Sequence, residues 1–354
     1  MTVVALVGYG YWGPNLLRNY MELPEARVKT VCDLDPEKLK KAAQRYPAVE
    51  TTCDIEAVLA DDEIEAVLIA TPISTHYQLA LEALLAGKHA FVEKPLTAST
   101  TEAGELVDVA EERGLVLMVG HTFVFSPPVR KVKQLIDSGE LGMVHFLTSS
   151  RVNLGLHQKD VSVVWDLATH DLSILYYWLG EAAESVSVTG RACVAPHIPD
   201  VAFVSLRFPS GIIANLDVAW LSPVKLRRTV VVGSQKMLLY DDTEVVEKVK
   251  VFDHGVDFEE PQTFGEFHLA YRTGDIVAPK LDTVEPLRFE AMHFLECVRE
   301  GKRPITDGQA GLRVVASLEA AEASLNDSGE FVRIHVPDEG ARERTLRIPE
   351  LDCA

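Results

Sequence analysis

Residues 3–21 read VVALVGYGYWGPNLLRNYM, and the parsing of this stretch decides the fold. Val3 to Val7 is an apolar run of strand length. Gly8, Gly10 and Gly13 follow in the order Gly-x-Gly-x-x-Gly. After Pro14, the apolar residues Leu16, Leu17, Tyr20 and Met21 fall at helical spacing. Strand, glycine turn and helix form the context in which this spacing carries meaning. The first glycine makes the tight turn, the second lets backbone approach a pyrophosphate, and the third lets helix pack closely on strand. N–H groups that open a helix lack intrahelical partners and attract an anion. On the glycines alone, the alternative is a turn that binds nothing. A second strand, Arg27 to Cys32, ends at Asp33, twenty positions beyond Gly13. An acidic side chain there accepts hydrogen bonds from the adenosine ribose and repels a 2′-phosphate, which favours NAD over NADP. The alternative for Asp33 is a turn or capping residue, a role for which Asp35, followed by Pro36, is the better candidate.

Working outward, strands read at Val3–Val7, Arg27–Cys32, Ala66–Ala70, His89–Val92 and Leu115–Val119. Helical patterns lie between them, with Gly87 and Gly114 at expected left-handed caps. This alternation implies an α/β Rossmann domain with a parallel sheet. Beyond about residue 120, strand-like stretches follow one another with short turns, as in Val144–Asn153, Ser185–Ala192, Val201–Phe208, Ile212–Trp220, Arg228–Val232 and Val245–Phe252. Consecutive strands of this kind predict an α+β C-terminal domain with a large open, mainly antiparallel sheet. In one of them Ile212, Ala214, Leu216, Val218 and Trp220 share a face. Two helices, Leu287–Arg299 and Gln309–Leu325, close the domain. The expected division is an NAD-binding domain over 1–120, a substrate-binding and oligomerisation domain over 121–335, and a C-terminal arm over 336–354.

The chain has 354 residues, enough for two domains with real cores. Its net charge of −19 lacks the basic footprint that nucleic-acid binding requires. No apolar run approaches the ~18 residues of a membrane span, and no secretory signal is evident. The five cysteines (Cys32, Cys53, Cys193, Cys297, Cys353) are widely spaced, which speaks against a zinc ribbon or a disulfide framework and for the reducing cytoplasm.

Ligands of a doubly wound sheet bind beyond the carboxyl ends of its strands. Three stretches fall there. Ala70-Thr71-Pro72 leads to Ser74-Thr75-His76, and Thr71 and Pro72 can line a cofactor site. Glu93-Lys94-Pro95 places a lysine where it can polarise a substrate oxygen, although a lone lysine is commonly just a surface residue. In the third stretch, Asp166 and His170 stand four apart on a predicted helix. A carboxylate beside an imidazole raises its basicity, as a general base near neutral pH requires. Taken alone, the pair reads rather as a helix-stabilising charge pair or a structural histidine. With no third ligand evident, no metal site is expected.

The combination of Gly-x-Gly-x-x-Gly, Ala70-Thr71-Pro72 with His76, Glu93-Lys94-Pro95 and Asp166-x-x-x-His170-Asp171 resembles the Gfo/Idh/MocA oxidoreductases, over residues 1 to about 335. That family takes in glucose–fructose oxidoreductase and inositol dehydrogenase. The resemblance implies a cofactor set of Gly8, Gly10, Tyr11, Trp12, Gly13, Asp33, Thr71, Pro72, His76, Glu93 and Lys94. It implies Lys94 and His170 as the catalytic pair, with Asp166 orienting His170 or the substrate. Many members carry Asn-x-Arg after the strand that follows Glu-Lys-Pro. This chain has Gly120-His121-Thr122-Phe123, which leaves His121 to take that place.

The implied activity is that of an NAD-dependent sugar dehydrogenase or ketosugar reductase. The stretches around Arg151-Val152-Asn153 and Tyr271-Arg272-Thr273 look like those of members acting on sugars or nucleotide sugars. His121, Arg151, Asn153 and Arg272 are the candidate substrate contacts. A guanidinium matches a carboxylate or diphosphate bidentately; the alternative for each arginine is a structural ion pair. A nucleotide-linked sugar oxidised at C3 is the expected substrate, and a homo-dimer or homo-tetramer the expected assembly. The alternatives are a redox-neutral NAD-using glycosidase or isomerase, and a non-catalytic sugar- or NAD-sensing regulator. Retention of both Lys94 and His170 speaks against the last.

Overall fold

The computed structural model describes residues 1–155, 157–158, 161–259 and 268–337. Residues 338–354 of the expected C-terminal arm, with Cys353, lie outside the described residues. The chain begins with β1 (Thr2–Val7), α1 (Gly13–Met21), β2 (Ala26–Cys32), α2 (Pro36–Arg45), β3 (Glu50–Thr52), α3 (Ile55–Leu59), β4 (Ala66–Ile69), α4 (His76–Leu85), β5 (His89–Glu93), α5 (Thr100–Glu112) and β6 (Leu117–Gly120). These six strands are all parallel, in the order β3-β2-β1-β4-β5-β6. The chain reverses its direction of growth between β1 and β4, which opens a crevice at their carboxyl ends. Helices cover both faces of the sheet, so Val4, Ala5 and Leu6 are fully enclosed although they point to opposite sides.

The local chemistry follows the sequence. Asp35 caps α2, accepting the Glu37 N–H at 2.9 Å, with Pro36 in the first helical position. Gly87 and Gly114 take φ of +75° and +65° after α4 and α5. Ser99 caps α5 by accepting from the Glu102 N–H, three residues on. The edge strand β3, Glu50-Thr51-Thr52, is polar and carries no hydrophobic pattern that would predict it.

The second half comprises α6 (Pro127–Asp137), β7 (Val144–Val152), a π-helical turn (Val164–Ala168), α7 (Thr169–Leu179), β8 (Ser185–Arg191), β9 (Val201–Arg207), β10 (Ile213–Ala219), β11 (Leu226–Gly233), β12 (Met237–Asp241), β13 (Val249–Glu259), β14 (His268–Val277), α8 (Pro286–Glu300), α9 (Gly308–Asn326) and β15 (Val332–Arg333). Nine strands form one open sheet in the order β14-β13-β12-β11-β7-β10-β9-β8-β15. Every neighbouring pair is antiparallel except β7 and β10. Along β10 the expected alternation holds. Ala214, Leu216 and Val218 are buried, while Ile213 and Asn215 are exposed.

The last two helices return to the first sheet. On α9, a side chain at Gly311 would meet the Val119 methyl at 2.6 Å and Leu96 at 3.1 Å, so the absence of a Cβ lets the helix lie against the sheet. The segment before α9 also pairs with the edge strand β6. The Val119 N–H donates to the Thr306 carbonyl at 2.8 Å, and the Thr306 hydroxyl donates back to the Val119 carbonyl. One continuous hydrophobic core therefore runs from the face of the first sheet, through α9, to the inner face of the second.

Candidate active site

A cleft of about 870 Å³ lies between the carboxyl ends of the parallel strands and the inner face of the nine-stranded sheet. The glycine turn forms its mouth. Gly8 has φ +96°, and a Cβ there would stand 2.5 Å from the Ala70 carbonyl oxygen. At Gly13 a Cβ would overlap the Gly8 carbonyl. At Gly10 nothing lies within 4 Å, which leaves the backbone open to an approaching pyrophosphate. No side chain caps the N-terminus of α1. Asp33 is anchored beside the turn: its Oδ2 accepts the Tyr9 N–H at 2.7 Å and its Oδ1 the Asp35 N–H at 2.8 Å. The fold, the open cradle at Gly10 and the fixed carboxylate together fit a dinucleotide such as NAD.

Of the other expected cofactor residues, Tyr11, Trp12, Thr71, Glu93 and Lys94 line the cleft, whereas Pro72 and His76 do not. Pro72 leads into a short 3-10 turn, Ile73–Thr75. His76 is buried with Nδ1 2.9 Å from the Pro95 carbonyl and Nε2 2.9 Å from the Thr71 carbonyl. It is a strut between the segment after Lys94 and the Thr71 loop, and not a wall of the site. Burial holds its pKa below the usual histidine value.

Lys94 leaves the end of β5 and points across the cleft. Its Nζ lies 3.3 Å from Asp166 Oδ1 and 3.1 Å from the Asp166 backbone oxygen. The other Asp166 oxygen accepts the Trp220 indole N–H at 3.0 Å. Asp166 sits in the π-helical turn, a feature frequent at functional sites. The expected Asp166–His170 pairing is absent: the carboxylate's two oxygens are engaged by Lys94 and Trp220. His170 is instead placed by its surroundings. Phe123 packs edge-on against the imidazole, 4.9 Å between centroids. The next residue, Asp171, is bound into the sheet by Arg151. The imidazole Nδ1 is buried without a hydrogen bond, which leaves Nε2 as the nitrogen that can meet a substrate. Burial, then the cations Lys94 and Arg151, hold the His170 pKa well below its ordinary value, so the ring is neutral at neutral pH.

The expected substrate residues are not brought together. Arg151 is buried, its Nε 2.7 Å from Asp171 Oδ2 and its Nη2 3.3 Å from Oδ1. Ser149 completes the carboxylate's shell at 2.9 Å. The guanidinium also lies over the Phe123 ring, 4.8 Å from its centroid. Arg272 is on β14 at the sheet edge, paired with Asp253 and hydrogen-bonded to the Gln235 carbonyl. His121 is buried with both ring nitrogens unpartnered, and burial lowers its pKa to about 3. Asn153 is half-buried and outside the lining, with its backbone N–H on the Ala219 carbonyl at 3.1 Å. The cleft wall holds Arg227 instead, 3.4 Å from Asp242. Nothing in the sequence around Arg227 separates it from the other arginines, because pairing depends on partners far along the chain. Among the described residues no group of three or more His, Cys, Asp or Glu side chains could hold a metal ion.

Residues 2–121 match the family model described as the oxidoreductase family with an NAD-binding Rossmann fold, and residues 129–239 match the GFO/IDH/MocA C-terminal domain. The scyllo-inositol 2-dehydrogenase (NAD(+)) of Bacillus subtilis is 29% identical over 341 residues, which span 91% of this chain and 94% of that protein. Among solved structures, UDP-N-acetylglucosamine 3-dehydrogenase GnnA from Acidithiobacillus ferrooxidans is similar with TM-score 0.77 and 25% identity, over 92% of this chain and 98% of that one. GenD2 from gentamicin A biosynthesis, solved with NAD, gives TM-score 0.79 at 24% identity over 94% and 96% of the two chains, a likeness of fold.

The Arg151–Asp171 pair generates a stability prediction. Truncating one partner strands the other charge in the core, so Arg151→Met is expected to cost about 3–5 kcal/mol. Adding Asp171→Leu should recover much of that loss. Urea unfolding midpoints of the single and double variants measure both; equal midpoints for Arg151→Met and the parent protein would refute the assignment.

Proposed function

The chain belongs to the Gfo/Idh/MocA oxidoreductases, an NAD-binding family, and on that premise we propose that it moves hydride between NAD and a secondary hydroxyl or keto group of a sugar or polyol held in the cleft. The observation that carries this reading is the convergence of a clamped ammonium, Lys94, and a neutral imidazole, His170, on one cleft. The bound nicotinamide supplies the hydride acceptor or donor. In the oxidative direction His170 takes the hydroxyl proton, and Lys94 stabilises the negative charge that develops on the oxygen. Asp166 is the positioning residue: it fixes Lys94 while Trp220 fixes it. In reduction the same groups return the proton to the alkoxide.

Loss of a positioned general base costs roughly 10²–10⁴ in rate, and that is the expected drop in kcat for His170→Ala. Lys94→Ala should fall by a similar factor, with NADH affinity near the parent's in both. Near-normal turnover in either variant removes that residue from the mechanism. The direction of the His170 shift sets the pH profile. Oxidation needs the neutral ring, so kcat/KM for the hydroxyl substrate should hold on acidification through the ordinary histidine range and fall only below it. Reduction needs the protonated ring and should gain as pH falls. At saturating NAD⁺, a kcat/KM profile for the hydroxyl substrate that breaks at or above the normal histidine value would contradict the buried, neutral His170.

The finer reading is a nucleotide-linked sugar oxidised at C3. It is supported by the cation Arg227 in the cleft and by the activity named for the GnnA relative. In this reading Arg227, which lines the cleft, takes the anion-binding role expected of Arg151 and Arg272. Arg227→Leu should raise KM for a nucleotide sugar at least tenfold, equivalent to about 1.4 kcal/mol, with little change for an uncharged sugar. Equal effects on both would sink the nucleotide-sugar reading and leave the dehydrogenase intact.

A homo-oligomer is the proposed assembly. On the outer face of the large sheet Phe146, Phe203 and Ile213 are 39%, 57% and 51% exposed, and Ile213 stands beside Phe146 in register. Apolar surface on an open sheet face seeks a cover, which a symmetric second copy provides. Light scattering should report a dimer or tetramer of the 39.0 kDa chain, and Phe203→Asp with Ile213→Asp should shift it toward monomer. A monomer at micromolar concentration would refute it.

A further inference from the structure

Glu93 is the last residue of β5, immediately before Lys94, and it forms part of the cleft wall. Its carboxyl is poorly satisfied for a charged group. Oε1 is buried without a hydrogen bond, and Oε2 has only the long 3.3 Å contact from the Lys94 N–H. The groups around it come from five places. Lys94 follows it on the same strand. The indole N–H of Trp12 approaches from the glycine turn, and the Tyr20 hydroxyl is buried on α1. Gly120 lies beside it on β6, so close that a Cβ there would be 3.2 Å from the carboxyl. From α8 comes a second buried carboxyl, Glu290, which accepts the Thr122 hydroxyl at 2.8 Å. No cation pairs with Glu290 among the described residues. His121, next to Gly120, is buried and neutral.

Two carboxyls buried together, with one neighbouring ammonium, cannot both be ionised cheaply. Burial pushes Glu93 up to about 8, with Lys94 opposing, and pushes Glu290 well above the ordinary range. Both therefore hold protons at neutral pH. Glu93 is the one that can release its proton, because it alone borders Lys94 and the open cleft. The carbon that exchanges hydride has to be within reach of Lys94 and His170, so the nicotinamide end of a dinucleotide faces this wall. The oxidised ring carries a positive charge and the reduced ring carries none.

We propose that Glu93 is the group through which the site distinguishes the redox state of its nicotinamide: it gives its proton to solvent when NAD⁺ binds and keeps it when NADH binds. The balance is one proton out for each NAD⁺ bound, with no covalent change. The added carboxylate favours the cationic ring, and the retained acid avoids an unpaired buried charge beside the neutral one. Glu290 acts as a neutral acid throughout, held by Thr122. This inference rests on NAD binding at the glycine turn, and it concerns binding alone, so sugar chemistry is not at stake in its test.

Calorimetric titration with NAD⁺ and with NADH, without substrate, in two buffers of different ionisation enthalpy, reads the proton directly. NAD⁺ should release close to one proton per site below about pH 8, and its Kd should fall by up to about tenfold per pH unit there before levelling. NADH should release none, and its Kd should stay flat. Glu93→Gln should abolish the release and the slope for NAD⁺ while NADH affinity is kept; Glu290→Gln should retain both. The infrared carbonyl band of a buried carboxylic acid should weaken on adding NAD⁺ to the parent protein and not on adding NADH, a readout that needs no variant. Equal proton release with both forms, no release with NAD⁺, or release that persists in Glu93→Gln would each overturn the proposal. Binding of neither form would overturn the cofactor assignment beneath it as well.

Discussion

A single carboxylate, Asp166, holds the two halves of the cleft in register. Lys94 comes from a strand end of the first sheet, Trp220 follows a strand of the second, and Asp166 sits in the π-helical turn with one oxygen on each. The ammonium needs this partner. Arg151 and Arg227, the other cations acting on the buried His170, have carboxylates of their own in Asp171 and Asp242, and Asp166 serves Lys94 in the same way. The attraction is strong because both side chains are only about one-fifth exposed, where solvent screens little.

The second buried pair, Arg151 with Asp171, plays a different part. It lies behind the site and fixes the first turn of α7 against β7, with Ser149 as a further donor. The residue preceding Asp171 is His170, so the aim of the imidazole is inherited from an ion pair that never touches the cleft. A histidine placed by packing and not by a carboxylate keeps a low pKa. That differs from the expectation that Asp166 would raise it, and it suits the proposed role of His170 as a base that is neutral before substrate arrives.

Much of this was legible in the sequence, for reasons that are local. The glycine turn, Asp33 and the capping by Asp35 depend on a few adjacent residues and appear where the spacing puts them. The alternation along β10 is equally local, because burial on one face imposes period two. What escaped is non-local. Strand β14 mixes Tyr271, Arg272 and Asp275 with apolar residues because it is the outer edge of the sheet, and α6 opens on two prolines that read as a break. Strand β12 is only five residues long. At the site, several of the residues singled out line the cleft, but their partners were not legible. Arg151 and Arg272 are committed to Asp171 and Asp253, twenty and nineteen positions away, while Arg227 lines the cleft together with its own partner, Asp242. Helical spacing put Asp166 near His170, yet Lys94, seventy-two residues away, competes for its carboxylate.

The pairing of Thr306 with Val119 has a consequence for synthesis. Strand β6 is an edge of the parallel sheet, and its cover arrives 187 residues later in the chain. At a ribosomal pace of 5–20 residues per second, that is roughly 10–40 s during which the nascent dinucleotide domain carries an open strand edge. An unpaired edge is a template for joining other chains. The interval before α9 emerges is therefore when this polypeptide is most exposed to misassembly on crowded polysomes, and when an attending chaperone has most to protect.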